Sequence, residues 1–369
     1  MRFGGIAAGL LFALAAGAGA EPLEILGQRI GPNETHRLAL PVSESVGGES
    51  STPVLVVSGA HPGPVVCLTG GIHGDELNGV EVVRRSVERA KPAELRGTLI
   101  GVPIVNLAAF RRGSRYLPDR RDLNRFFPGS PRGSSAARLA RRLFDDVVRH
   151  CAAVVDVHSG SFHRTNLPQV RGDLRKPEVL KLAKAFGSPL AIHNEGRIGT
   201  LRRAATDAGI PTIAYEAGEP MRFQEDAIDR GVRGVRQLLA SMDMLPRNGA
   251  VTPAPAIYFR SRWVRADEGG ILAARAKLGD LVEPNQVLGT VFDPISNQKS
   301  KIRAPVRGRL IGIALDQLVM PGYAAFHIAT DGAPERNTAP ASAALPSVDL
   351  QNGEDDAAAT HSDLEERPD

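Results

Sequence analysis

The chain has 369 residues and a net charge of +4, and at 42% hydrophobic content it can bury a full core, most economically in two domains. The charge is unevenly spread: the last 23 residues carry eight acids against one arginine, which leaves +11 on the rest. Aromatics make up only 5% and no basic stripe interleaves with them, which argues against nucleic acid and for small acidic molecules as partners.

Residues 1–20, "MRFGGIAAGLLFALAAGAGA", combine a short basic start, an apolar run of about a dozen residues and a small-residue exit, the pattern of a secretory signal cleaved after Ala20. The run is shorter than the ~20 residues a spanning helix needs, and no later segment is long and apolar enough, so the mature chain is expected to be exported, in the periplasm, without a membrane span. Cys67 and Cys151 lie in or beside apolar runs. Export permits a bridge between them, but two thiols in core strands read more simply as small hydrophobes.

Residues 23–58 hold short alternating runs, "RLALPV" and "PVLVVSG", which predict an antiparallel entry to a sheet. From Val65 strands and helices alternate: "VVCLT", "ELNGVEVVRRSVERA", "GTLIGVPIV", "SSAARLARRLFDDVVRH", "AAVVDVH", "PEVLKLAKAFG", "TLRRAATDAG", "IPTIAYEAG" and "DAIDRGVRGVRQLLASMDML". That alternation predicts an α/β domain over residues 21–246, a mixed and largely parallel sheet flanked by helices. After "PRNGAVTPAPA" the helical pattern stops, and short strands between Gly and Asp-Pro turns predict a smaller all-β domain over 255–330. Residues 331–369, rich in Ala, Pro, Ser and acids, predict a disordered tail.

Ligands of open α/β sheets collect beyond the carboxyl ends of strands. His73 and Glu76 follow "VVCLT", His158 closes "AAVVDVH" and Glu216 closes "PTIAY". Two imidazoles and a carboxylate form a three-ligand set that leaves zinc a fourth position for water. H-x-x-E alone is weak, and an isolated strand histidine is more often a core residue. Four such groups at strand ends are harder to explain structurally. Asp156 and Asp75 are read as supports for the ligands or as structural acids, and His61, His163 and His193 as surface or core residues.

The loop "RRGSRYLPDRRDLNRFFPG" contains Asn124 and Arg125, a pair able to grip a carboxylate through a two-pronged guanidinium and an amide. Arg112, Arg120 and Arg121 are read as solvated, and Arg202 in "GTLRRAA" as a further group within reach of a pocket.

The motifs "GGIHGDELNG", "RDLNRFFPG", "VVDVHSG" and "TIAYEAGE" resemble, in order, those of the succinylglutamate desuccinylase/aspartoacylase family of carboxypeptidase-like zinc hydrolases, over roughly Leu26 to Ala329. The resemblance implies one zinc per chain on His73, Glu76 and His158, with Glu216 as general base and acid. It also implies that Asn124 and Arg125 hold the substrate carboxylate and that an upstream arginine, here Arg115, polarises the scissile carbonyl. The chain departs from the aspartoacylase pattern in the residues, Arg120 and Arg121 among them, that separate "SRY" from "DLNR". Glu219 is the fallback base. The β domain resembles the family's C-terminal domain and is read as a lid; Lys299 lacks the symmetric hairpin tip of a lipoylated lysine.

These features predict an exported zinc amidohydrolase acting on an N-acyl amino acid or short peptide with a free carboxylate. Export fits cytoplasmic succinylglutamate breakdown poorly. The alternatives are a periplasmic carboxypeptidase or amidase of murein peptides and, in another class, a zinc-containing binding protein without turnover.

Overall fold

The computed structural model describes residues 22–45, 48–247, 253–315 and 317–332. The predicted leader and all but two residues of the predicted tail lie outside the described residues. The N-terminal strands are β1 (Leu23–Ile25), β2 (Gln28–Ile30), β3 (Glu34–Ser45) and β4 (Gly48–Ser58). The alternating part runs β5 (His61–Thr69), α1 (Leu77–Glu88), β6 (Arg96–Val102), α2 (Leu107–Arg111), α3 (Ser135–Asp146), β7 (Ala153–His158) and β8 (Arg164–Gly172). It continues with α4 (Pro177–Phe186), β9 (Leu190–His193), α5 (Leu201–Asp207), β10 (Thr212–Gly218) and α6 (Glu225–Ser241). The C-terminal strands are β11 (Ala256–Tyr258), β12 (Arg260–Arg265), β13 (Gly270–Ala274), β14 (Leu281–Val282), β15 (Val287–Phe292), β16 (Lys299–Arg303), β17 (Gly308–Ala314), β18 (Leu318–Val319) and β19 (Ala324–Thr330).

The heart of the sheet is the parallel group β6-β5-β7-β10, bordered by antiparallel β4 on one side and antiparallel β8 on the other. Side chains alternate across it. Val66, Leu68, Val155 and Val157 join the core under α1, α4 and α6, while Cys67 and Val154 join the core under α3. Both faces are therefore covered, which is why these strands read as continuous apolar runs. Burial of each such Val or Leu contributes about 1.5–3 kcal/mol.

Two strands escape the sequence pattern. In β8, "RTNLPQVRG" carries Pro168 and several polar residues, and β9 is only four residues long. Yet β8 joins the two halves of the molecule, pairing with β10 on one edge and with β17 on the other. The C-terminal strands form an antiparallel all-β region with its own core around Leu272, Val291, Leu310 and Phe326. Of these, β11, β12, β14, β17 and β19 are hydrogen-bonded into the main sheet, with Gly312 opposite Asn166, while β13, β15, β16 and β18 form a separate four-stranded sheet.

The expectation for the cysteines is corrected: Cys67 and Cys151 form a disulfide, with Cα atoms 5.8 Å apart and a sequence separation of 84. Burial of each residue among apolar neighbours hid the pairing in the sequence, because adjacent strands of a parallel sheet are far apart in the chain. On the chain-entropy account a bridge across so long a loop stabilises by about 4.5 kcal/mol. Among the described residues no helix is long and apolar enough to cross a membrane.

Candidate active site

Three parallel strands end together. Glu216 lies opposite His158 in the β10–β7 register, and Thr69, the last residue of β5, lies opposite Asp156. Beyond Thr69 the chain turns through Gly71, whose φ of +58° suits glycine, and delivers His73 and Glu76. Glu76 occupies the cap position of α1 without capping it, so its carboxylate is turned to the site. The helix can seat there because Gly79 faces the Val157 carbonyl, which a Cβ would meet at 2.5 Å.

His73, Glu76 and His158 are all buried, and their ligand atoms lie within 4.8 Å of one another. Nδ1 of His73 is 2.7 Å from one Glu76 oxygen, and Nδ1 of His158 is 2.8 Å from the other. The far nitrogens are each held by a carboxylate: Nε2 of His158 is 2.8 Å from Asp156, and Nε2 of His73 is 3.1 Å from Asp122. Asp156 in turn accepts from the Thr69 hydroxyl at 2.7 Å. A carboxylate behind each imidazole fixes the tautomer and leaves the inner nitrogen as a lone-pair donor, the arrangement found behind metal-ligating histidines.

The electrostatics ask for a cation. Glu76, Asp122 and Asp156 are offset by the buried Arg115, by Arg125 at 3.8 Å from Asp122 and by protons on the imidazoles, and a divalent ion on the inner nitrogens would supply the positive charge in place of those protons. Burial works to raise Glu76, but His73 and His158 outweigh it and hold the carboxyl well below its usual range. Burial likewise opposes ionisation of Asp122, and Arg115 and His73 overcome it. Against burial, Asp156 and Glu76 hold His158 well above the ordinary imidazole value. The donor set of two imidazoles and a carboxylate fits a divalent metal of the zinc type.

Arg115 reaches the site despite the extra residues after it. Its guanidinium is 9% exposed, donates to Asp122 at 2.8 Å and lies 3.4 Å from Glu76. Asp122, which the sequence reading passed over, ties the site together. One oxygen accepts from Asn124 N at 2.8 Å and meets His73, while the other takes Arg115. The D-x-N-R spacing within "RDLNR" was its signal. Asn124 accepts from Leu201 N at the start of α5 at 2.9 Å, and Arg125 donates to the Asn124 carbonyl, so both sit on a braced turn at the cavity.

Glu216 is held by two residues of β8, the strand that the pattern missed: Asn166 donates to it at 3.0 Å and the Arg171 guanidinium stands 3.8 Å away. Glu219 is ion-paired to Arg222 and Arg112, Arg120 and Arg121 are exposed, so none of these joins the cavity. Arg202 does, bonded to Asn194, and so does His193, expected only as a core or surface residue. Asp173, His193 and Glu195 also cluster, but their acids are matched by Arg175 and Arg203 and His193 accepts from Leu174 N. That cluster is a structural ion-pair network.

The cavity has a volume of about 670 Å³, and Phe259, Arg260, Ser261 and Trp263 of the C-terminal region form one wall. Seven arginines and four acids line it, so it favours anions.

Residues 62–242 match the model of the succinylglutamate desuccinylase/aspartoacylase catalytic domain. The chain is 31% identical over 273 residues to the N-alpha-acetyl-L-2,4-diaminobutyric acid deacetylase of Halomonas elongata, covering 69% of this chain and 79% of that protein. Its fold is similar to that of a succinylglutamate desuccinylase/aspartoacylase from Rhodobacter sphaeroides, at a TM-score of 0.74 and 25% identity, over 82% of this chain and 96% of that one. It is also similar to the ectoine utilization protein EutE (DoeB) of Ruegeria pomeroyi, at a TM-score of 0.73 and 24% identity, over 80% and 96%. The chain belongs to the succinylglutamate desuccinylase/aspartoacylase family of amide-cleaving deacylases.

Proposed function

We propose that the protein is an exported zinc deacylase that hydrolyses the amide of an N-acyl amino acid carrying at least one free carboxylate. The observation that carries this reading is the convergence of His73, Glu76, His158 and Glu216 at the ends of three neighbouring strands, at the floor of an arginine-lined cavity. His73, Glu76 and His158 would hold one zinc ion. When bound, zinc lowers the pKa of water in its open position towards ~7 and polarises a carbonyl.

The chain's own residues do the rest. Glu216, aimed by Asn166 and Arg171, accepts a proton from the attacking water and delivers it to the amine as the C–N bond breaks. The products are a carboxylate and a free amine. Arg115, fixed by Asp122, offers its positive charge to the carbonyl oxygen as that oxygen becomes negative. Asn124 and Arg125 grip the substrate carboxylate from their braced turn.

The excess of arginine extends the reading to the side chain of the amino acid. The Halomonas relative is named for a diaminobutyrate substrate, whose side chain is an amine. An ammonium group would meet net positive charge in this cavity, so an acidic or neutral side chain suits it better. Its volume lies within the range of small-ligand sites, which suits an acylated amino acid better than a murein strand. Export is supported by the leader pattern and by the Cys67–Cys151 disulfide, since structural disulfides persist mainly in oxidising compartments.

Arg125→Ala tests the carboxylate grip. The half-buried Arg125 keeps its contacts to Asn124 and Asp122 but gains no charge-assisted bond from a neutral ligand, so the wild type is expected to discriminate strongly against the methyl ester. In Arg125→Ala, kcat/KM for N-acetyl-L-glutamate should fall about a hundredfold, and for its α-methyl ester about tenfold or less. Equal losses on the two substrates would reduce Arg125 to a loop support.

A further inference from the structure

We propose that Phe162 is a positioning residue for Arg115, and that the C-terminal β region sets its place. This rests on the role of Arg115 given above. Phe162 lies in the short loop between His158, which ends β7, and Arg164, which opens β8. Phe162 and His163 both have left-handed backbones, with φ of +52° and +55°. Two consecutive non-glycine residues in that region carry a conformational cost, so the surrounding contacts must hold them there.

Those contacts come from the C-terminal strands. The Tyr323 hydroxyl donates to the Phe162 carbonyl, and it accepts from Gln317 at 2.7 Å. The His163 carbonyl accepts from Leu315 N at 2.8 Å and from Gln317 at 3.3 Å. Arg164 donates to the Ala324 carbonyl at 2.9 Å, with its guanidinium 4.9 Å from the Trp263 ring and 4.8 Å from Tyr323. The loop is thus gripped along its length by residues distant in sequence.

The grip places the Phe162 ring beside the site. The Arg115 guanidinium lies over it at 5.3 Å from the centroid, and Tyr116 packs at 6.2 Å. Asp122 and Glu76 accept from the Arg115 N–H groups, one of which also lies 3.2 Å from Nδ1 of His73, and the Phe162 ring backs the guanidinium carbon. The polar partners set the direction of the charge but leave the guanidinium able to tip. An aromatic platform prevents that movement, and such small displacements of a charge-stabilising group are costly in rate.

The test compares Phe162→Leu, Phe162→Tyr, Tyr323→Phe, Arg115→Lys and the double variant Phe162→Leu/Arg115→Lys in the mature chain, with N-acetyl-L-glutamate as substrate. Phe162→Leu is expected to lower kcat roughly ten- to thirtyfold with KM changed by less than about twofold, at unchanged Tm and zinc content. Phe162→Tyr should stay near wild type, because the platform is kept, and Tyr323→Phe should lower kcat by a smaller factor. Phe162→Leu should add little on the Arg115→Lys background, since both act through one group. Crystal structures give a second readout independent of substrate: the Arg115 guanidinium should be tilted or disordered in Phe162→Leu and ordered in Phe162→Tyr. A fully active Phe162→Leu beside an impaired Arg115→Lys, multiplying losses in the double variant, or an unmoved guanidinium would overturn the inference. A fully active Arg115→Lys would instead sink the role of Arg115 itself, and the inference with it.

Discussion

Glu216→Gln is expected to keep the fold and the metal and to lose roughly 10²–10⁴-fold in kcat. The amide is nearly isosteric and still fills the place between Asn166 and Arg171, but it cannot accept a proton from water. The loss should fall on kcat, with KM little changed, because the carboxylate grip at Asn124 and Arg125 is untouched. Steady-state kinetics with metal analysis of the same preparation checks both parts. Retention of near wild-type turnover would move the base elsewhere, with Glu219 the first residue to examine. Its ion pair with Arg222 and its position outside the cavity lining make it a poor substitute.

His158→Ala is expected to abolish stoichiometric metal binding. The imidazole contributes one inner nitrogen and is the partner of both Glu76 and Asp156, so its removal also leaves two buried carboxylates facing each other across the gap. Metal should be lost to a chelator at concentrations that leave the wild type loaded, and activity should disappear with it. Asp156→Asn should fall between the two, weakening metal affinity about 10–100-fold, because the ligands remain and only the support of one imidazole changes. A full metal complement in His158→Ala would remove it from the ligand set.

The parallel centre of the fold was legible because its strands are buried on both faces, so "VVCLT" and "AAVVDVH" stand out as apolar runs and their charged ends stand out against them. The same contrast marked His73, Glu76, His158 and Glu216. What stayed hidden depends on contacts between distant segments. β8 falls outside the pattern because Pro168, Asn166 and its arginines interrupt it, yet it is there that the partners of Glu216 are found. Asp122 is one of two acids in an arginine-rich loop, and only the folded turn brings it to His73, Arg115 and Asn124 together. The disulfide was missed for a related reason: nothing in an apolar neighbourhood tells a paired cysteine from a small hydrophobe until β5 and the chain entering β7 are placed side by side.

The most direct test of the zinc deacylase account is a metal titration. The chain starting at Glu21 is stripped of metal and titrated with zinc while release of free amine from N-acetyl-L-glutamate is followed. The account predicts no turnover without metal and a linear rise to a plateau at one equivalent of zinc per chain, with His158→Ala flat throughout. Full activity of the metal-free chain, or a His158→Ala response like that of the wild type, would contradict it.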